Sequence, residues 1–148
     1  MASKAEEELR RLSVEIRLLE DTAQALQSRT NMVNAVITDL TYANTTLEGL
    51  KKNEEGSELL VPVGGSSYIR ASLQDPDRVI VGIGAGVSVE KTMKEAKAII
   101  KKRLEDLEKT KVALQQRFAQ VAQKINEDQA KFEESVTVLR KGTMPKNV

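Results

Sequence analysis

The stretch RVIVGIGAGVSVEKTMKEA, residues 78–96, decides how the middle of this chain folds. An apolar run ends in three glycines at alternate positions, Gly82, Gly84 and Gly86, and then changes into a helix-like pattern. A strand, glycines and a helix in this order also begin nucleotide-binding loops. Those loops, however, need the spacing G-x-G-x-x-G with a further parallel strand, or a G-K-[ST] ending. The spacing here is different, so we interpret the glycines as turn or bulge residues.

Four short β-favouring runs surround these glycines: ELLVPV, SYIRASL, RVIVGI and GVSVE. Alternating Val, Ile and Tyr are typical of strands with one covered face. The runs are separated by GGS, QDPD and GAG. Gly64 and Gly65 tolerate the positive φ of a hairpin turn, and Pro76 presets the backbone of a tight turn. The segment therefore predicts two consecutive β-hairpins.

Long heptad patterns extend outward from the hairpins on both sides. A three–four spacing of apolar residues keeps one narrow stripe on a helix facing a partner helix. Only Thr30 and Asn44 interrupt the first stripe, and Lys111, Asp128 and Ser135 interrupt the second. The first stripe is Leu9, Leu12, Ile16, Leu19, Ala23, Leu26, Thr30, Val33, Ile37, Leu40, Asn44 and Leu47. The second is Ile100, Leu104, Leu107, Lys111, Leu114, Phe118, Val121, Ile125, Asp128, Phe132, Ser135 and Leu139.

Capping and breaking residues place the ends of these helices. Ser3 and Glu6 have capping-box spacing at the first start, and Ser88 is the expected N-cap of the second helix. Glu6–Arg10 and Glu7–Arg11 have favourable helix spacing. Glycines and an asparagine supply the expected stops, at Gly49, Asn53, Gly56 and Gly142. We expect four parts: a coiled-coil helix (1–52), two hairpins forming an assembly domain (53–87), a second coiled-coil helix (88–141) and a flexible tail (142–148).

The predicted fold class is α+β. The hairpins reverse the direction of the chain, so the helices form a long antiparallel coiled-coil hairpin with two β-hairpins inserted between them. Residues whose numbers sum to about 140 then face each other. Four short strands leave open edges, which are normally paired or covered. We expect the sheet to be completed by other subunits.

Composition excludes several classes of function. The 148 residues carry a formal charge of +1, include no Cys and no His, and are 30% charged. Disulfides and thiolate or imidazole metal sites are excluded, and the usual general base is missing. We expect no enzyme activity, no catalytic residues, no metal and no cofactor. The basic run at residues 101–103 is followed at once by the acidic residues Glu105, Asp106 and Glu108, which does not favour a nucleic-acid surface. No secretory signal or run of roughly 20 apolar residues is present, so we expect a cytoplasmic protein without nucleic-acid or membrane binding.

The segments LLVPVGGSSYIRA (59–71) and VIVGIGAGVSVEKT (79–92), set between two heptad helices, resemble the alpha subunits of archaeal prefoldins, the class with two β-hairpins. The resemblance covers almost the whole chain. It implies a hetero-hexamer of two alpha and four beta subunits, so that this chain meets beta-type subunits and a second alpha subunit. The hairpins would join into β-barrels from which coiled coils project. The resemblance also implies an ATP-independent chaperone that captures unfolded proteins and passes them to a group II chaperonin.

Two sets of apolar residues are candidates for these roles. At the free end of the coil, we expect contact with unfolded clients; the alternative is that the same residues only close the coil. On the strands, we expect subunit assembly, with some residues serving instead as core, and Val81→Asp is expected to break the oligomer without loss of helix. The client set is Leu9, Leu12, Phe132, Val136, Val138 and Leu139. The assembly set is Leu59, Val61, Val63, Ile69, Val79, Val81, Ile83 and Val87.

Three other functions are compatible with parts of the pattern. A structural or tethering coiled-coil protein would bind one defined partner rather than many unfolded chains. A nucleotide-binding protein would use the glycine loop. A filament-forming prefoldin homologue would keep the fold but assemble with copies of itself.

Overall fold

The structure is a computed structural model that describes residues 3–50 and 54–143. The predicted order of helix, two hairpins and helix is confirmed. Neither described helix contains an apolar stretch long enough to cross a bilayer. The elements are α1 (Lys4–Leu50), β1 (Glu58–Gly64), β2 (Ser67–Ser72), β3 (Arg78–Gly84), β4 (Val87–Thr92) and α2 (Met93–Thr143).

Helix α1 begins where the capping signal predicts. The Ser3 hydroxyl accepts a hydrogen bond from the Glu6 amide at 3.2 Å, and the Ser3 carbonyl accepts one from the Glu7 amide at 3.0 Å. These bonds satisfy backbone donors that a helix start otherwise leaves unpaired. At the other end, Gly49 is the penultimate helical residue and Gly56 adopts a φ of +85° in the following turn. The predicted stop at residue 53 lies outside the described residues.

The predicted start of the second helix at Ser88 is wrong. Ser88 lies in β4, and α2 begins at Met93. The cap is Thr92, whose hydroxyl accepts a hydrogen bond from the Glu95 amide at 3.2 Å while the Glu95 carboxylate accepts one from the Thr92 amide at 3.3 Å. This reciprocal capping box outweighs the serine signal, since β4 still pairs with β3. At its other end α2 is described through residue 143, so Gly142 does not end it, and residues 144–148 of the predicted tail lie outside the described residues.

The two hairpins have the same strand pairing and the same kind of turn. Each is a two-stranded antiparallel sheet, and each residue pair of the first hairpin recurs twenty positions later in the second. Both close with two residues of positive φ, Gly65–Ser66 in the first and Ala85–Gly86 in the second. Two left-handed residues make the turn that matches the twist of the flanking strands. The connection between the hairpins turns at Asp75, whose side chain accepts a hydrogen bond from the Asp77 amide at 3.0 Å.

The chain divides into two compact units, one containing residues up to Asn34 and from Thr110 onward, the other Ala35–Lys109. Within each unit the α1 and α2 segments lie side by side and antiparallel. In the first, Lys124 Nζ lies 3.8 Å from Glu15 Oε1; in the second, Lys97 Nζ lies 2.7 Å from Glu48 Oε1. Both pairs match the predicted alignment to within a few residues.

The heptad prediction is confirmed at every position, because each residue of both stripes is buried or half-buried. The interrupting residue Thr30 is accommodated by a hydrogen bond from its hydroxyl to the Leu26 carbonyl at 2.9 Å. The second unit adds a compact core in which one strand residue packs against both helices. That core is Leu40, Leu47, Val81, Met93, Ala96 and Ile100.

Candidate interaction surfaces

The three alternating glycines build a hairpin. Gly84 and Gly86 have φ values of +111° and +75°, and the ladder shifts register between Gly82 and Gly84. The Gly82 carbonyl accepts a hydrogen bond from Arg103 Nη1 at 3.2 Å. The predicted turn and bulge are therefore confirmed. A second strand, β4, follows the glycines, so the strand–loop–helix order of a nucleotide loop does not occur at this place.

The second hairpin is covered on one face by its own chain. Val81, which is 5% exposed, sits in the core of the second unit, and Val79 packs against that core. Val81 therefore stabilises this chain's own fold, and the Val81→Asp variant loses its value as a test of assembly alone. The opposite face is open, because Ile80 is 77% exposed. Near the turn, Ile83 and Val87 are exposed as well.

The first hairpin lacks this cover among the described residues. None of its strand residues is buried, and only Leu59 and Ala71 are half-buried. Both faces carry apolar side chains, including Val61 and Ile69 on one and Leu60, which is 64% exposed, on the other. An isolated two-stranded hairpin is marginal in water, and clustered exposed apolar residues mark interaction sites. This hairpin is therefore a candidate interaction surface.

Of the predicted assembly residues, five are exposed, two are half-buried and Val81 is buried. Sequence reasoning missed three exposed residues on the other faces of the strands. The signal was present, since the runs LLVPV and VIV are apolar without alternation, which is typical of strands covered on both faces. The exposed predicted residues are Val61, Val63, Ile69, Ile83 and Val87, and the missed residues are Leu60, Tyr68 and Ile80.

The helix ends form the second candidate surface. We call residues 4–20 of α1 and 121–143 of α2 the terminal segments. Of the six predicted client residues, Val138 alone is exposed; Leu12 is 1% exposed, and the other four are half-buried. Most of the set is therefore covered along the coil, and its contact with clients stays a prediction. The exposed apolar residues that sequence reasoning missed here are Val14 and Leu18, one turn apart and outside the heptad stripe.

The half-buried ring of Phe132 borders a shallow groove between the two terminal segments. The groove has a volume of about 450 Å³ and opens to solvent. Its lining mixes apolar, polar and charged side chains, so it offers a small contact area rather than an enclosed ligand site. Its lining is Ser13, Ile16, Arg17, Glu20, Gln129 and Phe132.

The terminal segments carry several ion pairs. Arg11 contacts Glu8 at 2.8 Å and Glu15 at 3.2 Å, rather than the predicted Glu7. The hydrogen bond from Arg11 lowers the pKa of the Glu8 carboxyl below its ordinary value. These pairs are exposed, and pairs of this kind contribute little to stability.

A different pair reaches into the seam. Lys124 Nζ lies 3.2 Å from Oδ1 of Asp128, a carboxylate that is 1% exposed. This contact raises the pKa of the Lys124 ammonium above its ordinary value, although neither Asp128 oxygen accepts a hydrogen bond of regular geometry within the described chain.

Comparisons with known proteins agree with this architecture. A family model described as "Prefoldin subunit" matches residues 19–137. The chain is 40% identical to prefoldin subunit alpha of Methanopyrus kandleri, over 76% of this chain and 72% of that protein. It is 35% identical to prefoldin subunit alpha of Pyrococcus horikoshii, over 84% and 89% of the two chains. Among solved structures it resembles a filamentous PFD from Methanocaldococcus jannaschii, with a TM-score of 0.68 and 27% identity over 80% of this chain and 98% of that one.

Proposed function

This chain belongs to the prefoldin family, and from that premise we propose that it is a subunit of an ATP-independent chaperone that holds unfolded proteins at its terminal segments. The family supports a chaperone role and assembly with other prefoldin subunits. The observation that carries the proposal is the first hairpin, whose two apolar faces lack cover from the described part of the chain. Other subunits would cover this hairpin, and the assembly formed in this way would bring several pairs of terminal segments together.

The proposed assembly is a hetero-hexamer of two alpha-type and four beta-type subunits. The hairpins of this chain would pair with those of a second alpha subunit and of beta subunits to close β-barrels. The exposed strand residues Leu60, Ile69 and Ile80 support this arrangement, because closure into a barrel covers apolar side chains and removes free strand edges.

Client capture depends on several weak apolar contacts that act at the same time. Burying apolar surface contributes roughly 25 cal/mol per Å². One pair of terminal segments offers only a few exposed apolar side chains, including Val14, Leu18 and Val138. A single contact is therefore weak. Several coils on one base bind the same unfolded chain together, and effective concentration raises the avidity without any new contact.

The client is released to a group II chaperonin, and the complex works in the cytoplasm. Prefoldins are not an enzyme family, and we propose that this chain has neither catalytic activity nor a cofactor. Holding a client by apolar burial needs no bond to be made or broken, which is consistent with action without ATP.

Light scattering tests the proposal. The assembled protein is mixed with two unrelated chemically denatured proteins, with and without ATP. We expect suppression of aggregation for both substrates, unchanged by the nucleotide, because apolar surface is common to all unfolded chains. Protection of one substrate alone would indicate a tethering protein with a defined partner. A requirement for ATP would indicate that the second hairpin, with its three alternating glycines, binds a nucleotide.

The filamentous neighbour favours a second candidate function. In that case copies of this chain would assemble with one another through the same hairpins. Filament formation and the hetero-hexamer differ in mass and in their need for a beta-type partner, so the mass of the native complex, measured with and without a beta-type subunit, separates them.

A further inference from the structure

One buried charged residue in the seam has no role in the function proposed so far. Asp128 and Leu12 are the two largest fully buried side chains of the described residues. The antiparallel alignment places them opposite each other, at a heptad position where a leucine would normally complete the packing. The structure therefore buries a carboxylate where the coiled coil needs an apolar side chain.

The surroundings compensate this charge incompletely. Lys124 Nζ is 3.2 Å from Asp128 Oδ1 and also 3.8 Å from Glu15 Oε1, so one ammonium is shared by two carboxylates. Arg11 interacts with Asp128 through its charge but directs its hydrogen bonds to Glu8 and Glu15. Apart from the ion pair with Lys124, neither oxygen of Asp128 accepts a hydrogen bond of regular geometry from a described residue. A buried carboxylate in this condition destabilises the packing around it.

The effect falls on the outermost part of the coil. Beyond this position the α2 stripe has only Phe132, Ser135 and Leu139, and the α1 stripe has only Leu9. Ser135 adds little apolar burial, and short helical pieces are not stable alone. Residues 4–11 and 129–143 therefore depend on a short, poor seam that is weakened at its inner boundary.

We propose that Asp128 is a positioning residue that keeps these outermost residues loosely paired, so that they separate and present Leu9, Leu12 and Phe132 to an unfolded chain. This inference rests on the proposed chaperone function and explains how seam residues that are covered in the closed coil contact clients. The opening exposes apolar surface that the exposed residues Val14 and Leu18 extend.

The Asp128→Leu variant of the assembled protein tests the inference by amide hydrogen exchange and by the aggregation assay. Replacing a buried ion pair with an apolar side chain commonly stabilises packing, so exchange in residues 4–11 and 129–143 is expected to slow by about tenfold. Because opening becomes rarer, suppression of aggregation is expected to fall by about the same factor at limiting chaperone. The conservative Asp128→Asn variant keeps a buried polar group in the seam and is expected to retain most of the activity.

The matched control is Thr30→Val, which removes a buried polar seam residue of the same unit whose hydroxyl is hydrogen-bonded. It is expected to change neither the exchange of the outermost residues nor the suppression of aggregation. Unchanged or faster exchange in Asp128→Leu would overturn the inference, as would slower exchange with full activity. If the wild-type assembly protects no client, the proposed function itself fails, and the exchange comparison alone then decides whether Asp128 loosens the outermost residues.

Discussion

Aspartate at both Leu60 and Ile80 is expected to convert the assembly into separate, folded subunits. Both side chains are more than half exposed within their own chain, so a charge there costs the isolated fold little. In a closed barrel the same positions are covered, and an unpaired buried carboxylate costs several kcal/mol, or about a hundredfold or more in association. Gel filtration with light scattering should show the mass of a single chain, and circular dichroism should show unchanged helix content.

Two control variants sharpen this prediction. Tyr42→Asp places the same charge at an exposed aromatic residue that belongs to α1 rather than to a hairpin of the same unit, and it is expected to leave the assembly intact. Val81→Asp places it in the core of the second unit and is expected to lower helix content as well as mass. An assembly of unchanged mass in the Leu60, Ile80 double variant would show that the hairpins are not the assembly surface.

Deleting residues 1–10 and 127–148 is expected to remove most of the suppression of aggregation while the assembly survives. The deletion removes most of the terminal segments, including the exposed Val138 and the seam residues Phe132 and Leu139. The second unit, with its core and both hairpins, is left complete. Aggregation of a denatured client should then proceed almost as fast as without chaperone, since only Val14 and Leu18 of the exposed client contacts remain. The mass should fall only by the residues deleted.

Point substitutions give a milder version of the same experiment. Leu18→Gln with Val138→Gln removes exposed apolar contacts from the terminal segments without shortening either helix and is expected to reduce protection several-fold. Met32→Gln, an exposed apolar residue of the same unit outside the terminal segments, is the matched control and should have no effect. Full protection by the truncated assembly would assign client binding to another surface.

Periodicity alone predicted the helices and their buried faces. A three–four spacing places the stripe residues on one face of the helix, toward its partner helix. All twenty-four stripe positions are buried or half-buried, including the polar residues Thr30 and Asp128. The start of α2 was wrong because Ser88 is an acceptable cap by residue type. The pairing of Thr92 with Glu95, three residues apart, was the better signal, since it satisfies two backbone donors rather than one.

The candidate surfaces were less accessible to sequence reasoning. Alternation in a strand separates two faces but does not say which face the chain's own helices cover. Val81 and Ile80 therefore had similar sequence signals and opposite environments, one in the core and one in solvent. The polar interruption at Asp128 was recognised, but its complete burial beside Lys124 depends on the side chains of both helices and does not follow from spacing.

The central claim is that the hairpins join this chain to other prefoldin subunits. The most direct test is the mass of the native complex, measured for this chain alone and after co-expression with a beta-type subunit. The account predicts a complex of two copies of this chain with four beta-type subunits. A single unassembled chain under both conditions would contradict it, whereas an open-ended series of masses from this chain alone would establish the filament instead.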